Sequence, residues 1–137
     1  MPAFSIRPAL REDIATLADF LTPFVEAERL LPRTLTELDD LYPCFLVAES
    51  EGRLIGCAAL EIYSPKLAEL RSLAVLPELR QHGVGRALVA ACLERAHAAN
   101  VREVMAISSK ENFFLNCGFD FTLPGEKKAF FYLTTED

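Results

Sequence analysis

The chain has 137 residues, 51% of them apolar and 25% charged, which suits one continuous hydrophobic core and argues against a disordered or two-domain chain. Twenty acidic against fourteen basic side chains leave a formal net charge of −6, so the bulk attraction that non-specific nucleic-acid binding relies on is missing. No run has the length of a membrane helix and no basic-then-apolar leader opens the sequence, so a cytoplasmic protein with no membrane and no nucleic-acid partner is expected.

Phe4 to Ala9 reads as a strand. Ile14, Leu17, Ala18, Leu21 and Val25 then recur at the spacing of a helix with one apolar face, and Pro23 is expected to bend or interrupt it. Thr34 and Glu37 have capping-box spacing for a short helix carrying Leu35, Leu38 and Leu41, which ends before Pro43. Cys44 to Glu49 and Leu54 to Tyr63, joined by Ser50, Glu51, Gly52 and Arg53, form the pattern of a β-hairpin.

Ala68 to Val75 is a third strand in that region, closed by Pro77, and Gly83 to Asn100 has helical periodicity through Val84, Leu88, Cys92 and Ala96. Val101 to Ser108 fits a further strand and Lys110 to Cys117 a short helix. Phe119 to Leu123 and Ala129 to Thr134 read as a closing pair of strands. The whole is one α/β domain, residues 1–137, on a mixed sheet. Cys44, Cys57, Cys92 and Cys117 are scattered without a CxxC pair, as expected of structural thiols. His82 and His97 lack metal-ligand spacing, and no metal is expected.

The segment Leu73 to Leu88 passes from a strand through a glycine-containing turn into a helix. A helix start offers unpaired amides and the positive end of a dipole, and Gly83 and Gly85 let an anion approach the backbone. Arg80 and Arg86 would add mobile positive charge. A structural turn explains two glycines equally well. The spacing is not that of a P-loop, which needs Gly-Lys-Ser/Thr, nor GxGxxG, since residue 88 is leucine.

The same segment resembles motif A of the GNAT superfamily of N-acetyltransferases, whose signature Gln/Arg-x-x-Gly-x-Gly/Ala is filled by Arg80, Gly83 and Gly85. Ile6-Arg7-Pro8-Ala9, Leu54-Ile55-Gly56 and Gly118-Phe119 fit the family layout along the chain. The resemblance implies an α+β fold with a mixed, mostly antiparallel sheet of six or seven strands and about four helices. It also implies a splay between the fourth and fifth strands, here Ala68 to Val75 and Val101 to Ser108, in which acetyl-CoA lies. Cofactor contacts are implied for Leu73, Ala74, Val75, Arg80, Gln81, His82, Gly83, Val84, Gly85, Arg86, Asn112 and Phe114.

Direct transfer to an amine, without an acyl-enzyme, is the implied reaction, and Glu69 is the first choice of base with Glu61 in reserve. The alternative for Glu69 is a strand-end carboxylate paired with Arg71. Many relatives have tyrosine where this chain has Phe114, which cannot donate a proton. That departure motivates a second reading, a non-catalytic acetyl-CoA sensor or interaction domain. Asn112 is equally a plain polar residue at a helix start.

The run Leu30-Leu31-Pro32-Arg33-Thr34 is similar to one in the acetyltransferase domain of N-acetylglutamate synthases. It implies a small-molecule amine acceptor, glutamate being the lead, whose carboxylate Arg29 and Arg33 would clasp. Solvated surface charge is the competing explanation for both arginines. Many relatives are homodimers, although no interface is identifiable in this sequence.

Overall fold

Arg7 organises the start of the fold. Its guanidinium donates to both carboxylate oxygens of Asp13, at 2.8 and 3.0 Å, and to Glu49 Oε2 at 3.0 Å. Asp13 Oδ2 also accepts the Leu10 amide at 2.7 Å, so one carboxylate joins the first strand to the turn that starts the first helix. The computed structural model describes residues 2–27, 29–123, 125 and 127–134, and the chain divides into two compact units, residues 1–107 and 108–137.

In the first unit the order is β1 (Ser5–Pro8), α1 (Ile14–Glu26), α2 (Leu35–Leu41), β2 (Phe45–Ser50), β3 (Arg53–Ile62), β4 (Leu67–Val75), α3 (Val84–Ala98) and β5 (Glu103–Ala106). The strands lie side by side in sequence order; the β1–β2, β2–β3 and β3–β4 pairings are antiparallel and β4–β5 is parallel. Glu51 and Gly52, between the paired Ser50 and Arg53, both have positive φ, +51° and +75°. That is the two-residue loop whose twist matches the strands it joins.

The sheet has a helical layer on each face. Leu17, Leu21 and Phe24 of α1 and Leu38 of α2 pack on Phe45, Val47, Cys57, Ala59 and Ala74. On the opposite face α3 buries Val84, Leu88, Val89, Cys92 and Ala96. Gly56 permits that close approach, because a Cβ there would lie 3.1 Å from Leu88 Cδ1 and 3.2 Å from Val84 Cγ1. Thr34 and Glu37 form the expected capping box, the Glu37 amide donating to Thr34 Oγ1 at 3.1 Å and the Thr34 amide to Glu37 Oε1 at 3.0 Å.

Two expectations need correction. Pro23 does not interrupt its helix, since α1 runs on to Glu26; the proline forfeits its own ladder bond to residue 19, and the helix ends within one turn after it. The sheet has five strands among the described residues rather than six or seven. In the second unit α4 (Glu111–Asn116) precedes a stretch whose sole pairing among the described residues is an isolated bridge from Leu123 to Lys127. Phe130, Phe131, Tyr132 and Leu133 are exposed and outside any strand. Aromatic composition marks a segment able to form a strand, but only an available edge makes it one. Among the described residues no helix is long and apolar enough to cross a membrane.

Candidate active site

The strand β4 loses a neighbour halfway along. Leu67 to Leu70 pair with Glu103 to Ala106, and β5 then ends, while β4 continues to Val75 with β3 alone beside it among the described residues. Backbone groups of Arg71 to Val75 that point to the vacated side are therefore left to bind something other than the sheet.

This half of β4 is also bulged. Cys57 pairs with Ala74 and Ala59 with Arg71, so Ser72 and Leu73 together oppose Ala58. Ser72 takes the left-handed conformation, φ +55°, which costs a non-glycine residue about 1 kcal/mol. Two contacts hold it: the Cys57 thiol donates to the Ser72 carbonyl at 3.4 Å, and Arg33 Nε donates to Ser72 Oγ at 3.0 Å. The bulge changes which residues face each layer, bringing Ala74 into the core under α1 and α2.

After β4 the chain makes one tight helical turn, Pro77–Leu79, and reaches α3 through Gln81 and Gly83, both with positive φ (+69° and +86°). Gly83 is the N-cap of α3 and no side chain caps the helix. The amides of residues 81–85 donate to no acceptor among the described residues. A Cβ on Gly83 would meet nothing within 4 Å, so the glycine answers a backbone requirement and leaves its outer side open. Buried Val84 and Leu88 fix the helix against the sheet, while Arg80, His82 and Arg86 are exposed around the turn. Open amides at a helix start, with cationic side chains about them, fit a diphosphate.

A cavity of about 320 Å³ lies under α1, lined by Leu21, Val25, Leu30, Leu31, Arg33 and Ser72 among others. Arg33, with 8% of its side chain exposed, donates Nη2 to Glu61 Oε2 at 3.3 Å and lies 5.7 Å from the centroid of the Phe45 ring. The same Glu61 oxygen accepts Arg71 Nη1 at 3.1 Å. Directly across the ladder from Glu61 is Glu69, which accepts a 2.6 Å hydrogen bond from the Tyr63 hydroxyl.

The first unit holds Leu73, Ala74 and Val75 on the half of β4 that β5 does not reach, the turn from Arg80 to Gly83, Val84 to Arg86 in the first turn of α3, and, at the bulge, Arg33 on Ser72 with Glu69 three residues before it on β4. Arg29 does not join them: it is exposed after α1 and lines no part of the cavity. Asn112 and Phe114 lie on α4 in the second unit, where Phe114 packs edge-on against Phe113 and Phe119, at 5.1 and 5.3 Å. Arg71 forms its ion pair with Glu61, and its charge also acts on Glu69, the partner that the structural alternative gave it. Two residues escaped the sequence reading. Ser72 had a signal, since the apolar alternation of Ala68 and Leu70 breaks at Arg71-Ser72; Tyr63 had none, because its partner depends on strand register.

Residues 11–119 match the Acetyltransferase (GNAT) family. An uncharacterised N-acetyltransferase of Chlorobaculum tepidum is 34% identical over 125 residues, 87% of this chain and 78% of that one. The amino-acid acetyltransferase of Aeromonas salmonicida is 33% identical over 116 residues, 83% of this chain and 26% of its own length, so the chain spans about a quarter of that relative. A Mycobacterium tuberculosis protein crystallised with CoA superposes with TM-score 0.79 at 27% identity, over 86% of this chain and 74% of that one. N-acetylglutamate synthase of Neisseria gonorrhoeae, complexed with coenzyme A and N-acetyl-glutamate, superposes with TM-score 0.76 at 29% identity, over 85% of this chain and 28% of that one. With a splayed strand, an uncapped helix start and matches of this extent, the chain belongs to the acetyltransferase (GNAT) family, and acetyl-CoA is its cosubstrate.

Proposed function

We propose that the chain acetylates the amine of a small amino acid by direct attack in a ternary complex, with glutamate as the leading acceptor. The observation that carries this is β4 parting from β5 after Leu70, in the same unit as the open amides of residues 81–85. The names of the similar proteins support a small amino-acid acceptor, and a family match that runs from residue 11 to residue 119 supports reading 1–137 as one domain.

Acetyl-CoA, when bound, supplies a thioester whose acyl carbon accepts an amine and whose sulfur leaves. The amides from Gln81 to Gly85 hold its diphosphate, with the Arg80 and Arg86 side chains adding charge. Backbone donors at Leu73 and Val75 hold the arm and polarise the carbonyl. Phe114 offers no proton, and a thiol with pKa of about 8.5 leaves tolerably as thiolate.

An amine with pKa about 10 is protonated at neutral pH, so its proton must be taken before attack. Glu69 is the base in this reading, through a water, because the Tyr63 hydroxyl holds one of its oxygens and, with Arg71 acting on it only from longer range, no ion pair closes off the other among the described residues. Glu61 is unsuited, since Arg33 and Arg71 both occupy its Oε2 oxygen. Arg33, at the cavity wall, orients the acceptor carboxylate; Arg29 has no place in that set.

Thiol release from acetyl-CoA measured over glutamate, aspartate, polyamines and short peptides tests the proposal. Release that requires glutamate or another small amino acid is the expected result. Release with peptides alone, or with no amine of the panel, overturns the acceptor assignment. Glu69→Gln is expected to lower kcat by about a hundredfold or more, the range of general-base catalysis, with acetyl-CoA affinity unchanged.

A further inference from the structure

We infer that Tyr63 is a positioning residue for Glu69: its hydroxyl holds Oε1 and leaves Oε2 to accept the proton of the acceptor amine. The inference rests on Glu69 being the base. The 2.6 Å separation is that of a charge-assisted O–H···O⁻ bond. The Tyr63 backbone is itself fixed, because its amide donates to the Leu67 carbonyl at 3.0 Å across the Ser64-to-Lys66 turn. The phenol therefore reaches back along the strand pair from an anchored point.

The two facing carboxylates are held by different chemistry. Glu61 receives two guanidinium groups, at 3.1 and 3.3 Å, whereas the short hydrogen bond to Glu69 comes from a phenol and the Arg71 charge acts on it from longer range. A cation would orient a base and make it a weaker one at the same time; a neutral donor orients it while supplying no full charge. Burial, and then the bond to Glu69, hold the Tyr63 phenol above its usual range, so it remains a donor at neutral pH.

The other groups facing Glu69 are accounted for strand by strand. Glu61 stands opposite on β3, and Arg71, two residues along β4, pairs with Glu61 while its charge also reaches Glu69 and the Tyr63 hydroxyl. On β5, Met105 is the ladder partner and Glu103 shares its face. From α2, Glu37 is felt by Arg33 and Arg71. None of these supplies the short hydrogen bond that Tyr63 does.

The test compares Tyr63→Phe, Glu69→Gln and the double variant in steady-state kinetics across pH, with urea midpoints to establish folding. Tyr63 is 52% exposed, so the single hydroxyl can be removed from a folded protein. Tyr63→Phe is expected to lower kcat about tenfold, the scale of one hydrogen bond to a charged group, while the KM for acetyl-CoA stays constant. In the Glu69→Gln background the tyrosine change has no further effect. If Glu69→Gln is impaired while Tyr63→Phe keeps the rate, the positioning role is overturned and the base stands. Undiminished turnover in Glu69→Gln overturns both.

Discussion

In the proposed reaction Arg33 serves both architecture and acceptor binding. Its guanidinium bridges Ser72 on the bulge and Glu61 on β3 while forming part of the cavity wall. Arg33→Ala leaves Glu61 with Arg71 alone and Ser72 without its donor. The expected outcome is a loss of about 1–3 kcal/mol in urea unfolding together with a raised KM for the acceptor and an unchanged KM for acetyl-CoA. An unchanged acceptor KM would confine Arg33 to a structural role.

The thiols were legible in the sequence as inert, and the structure supplies the cause. Burial pushes Cys57 up to about 12 and Cys92 up to about 11, so neither is a thiolate at neutral pH, in keeping with transfer that needs no acyl-enzyme. Both are expected to stay silent to a thiol reagent at pH 8 until urea unfolds the protein. Tyr63 was illegible for a different reason. Its importance comes from the pairing of Glu61 with Glu69, a matter of register between two strands that no single strand encodes.

Among the elements, those governed by local chemistry were read correctly: the Thr34–Glu37 cap, the hairpin turn through Gly52, and α3 from its periodicity. The closing strands at 119–123 and 129–134 were not, because a strand is completed by an edge elsewhere in the fold. The turn into α3 lies between these cases. Its glycines were visible, yet the left-handed φ of Gly83 and the empty space beside it are structural facts. Gly83→Val forces a β-branched residue into a conformation costing about 1–2 kcal/mol and crowds the anion site. Calorimetry should find acetyl-CoA binding weakened about tenfold or more; wild-type affinity would show that the turn does not meet the cofactor.

At the scale of the molecule, a chain of net charge −6 gains its acid sensitivity from specific pairs. Hydrogen bonds from Arg7, opposed by burial and aided by the Leu10 amide, hold Asp13 below the usual carboxylate range. A depressed folded pKa stabilises the fold above the unfolded value of about 3.9, and that contribution is lost as pH falls through the lower folded value. Unfolding by urea at pH 7 and pH 3 should show the loss, and Asp13→Asn should flatten it; an equal slope in that variant would assign acid unfolding elsewhere. The mixed sheet and its helices were readable from hydrophobic pattern, whereas the open side of β4 beyond Leu70 follows from where β5 stops, at Ala106.

In the proposed function the open amides at the start of α3 hold the diphosphate of the cosubstrate. Titrating the protein with acetyl-CoA and with acetylpantetheine, which has the same thioester arm and no diphosphate, tests this most directly. Binding is expected to be at least about a hundredfold weaker for acetylpantetheine, the scale of losing several charge-assisted hydrogen bonds. Equal affinity for the two would contradict it.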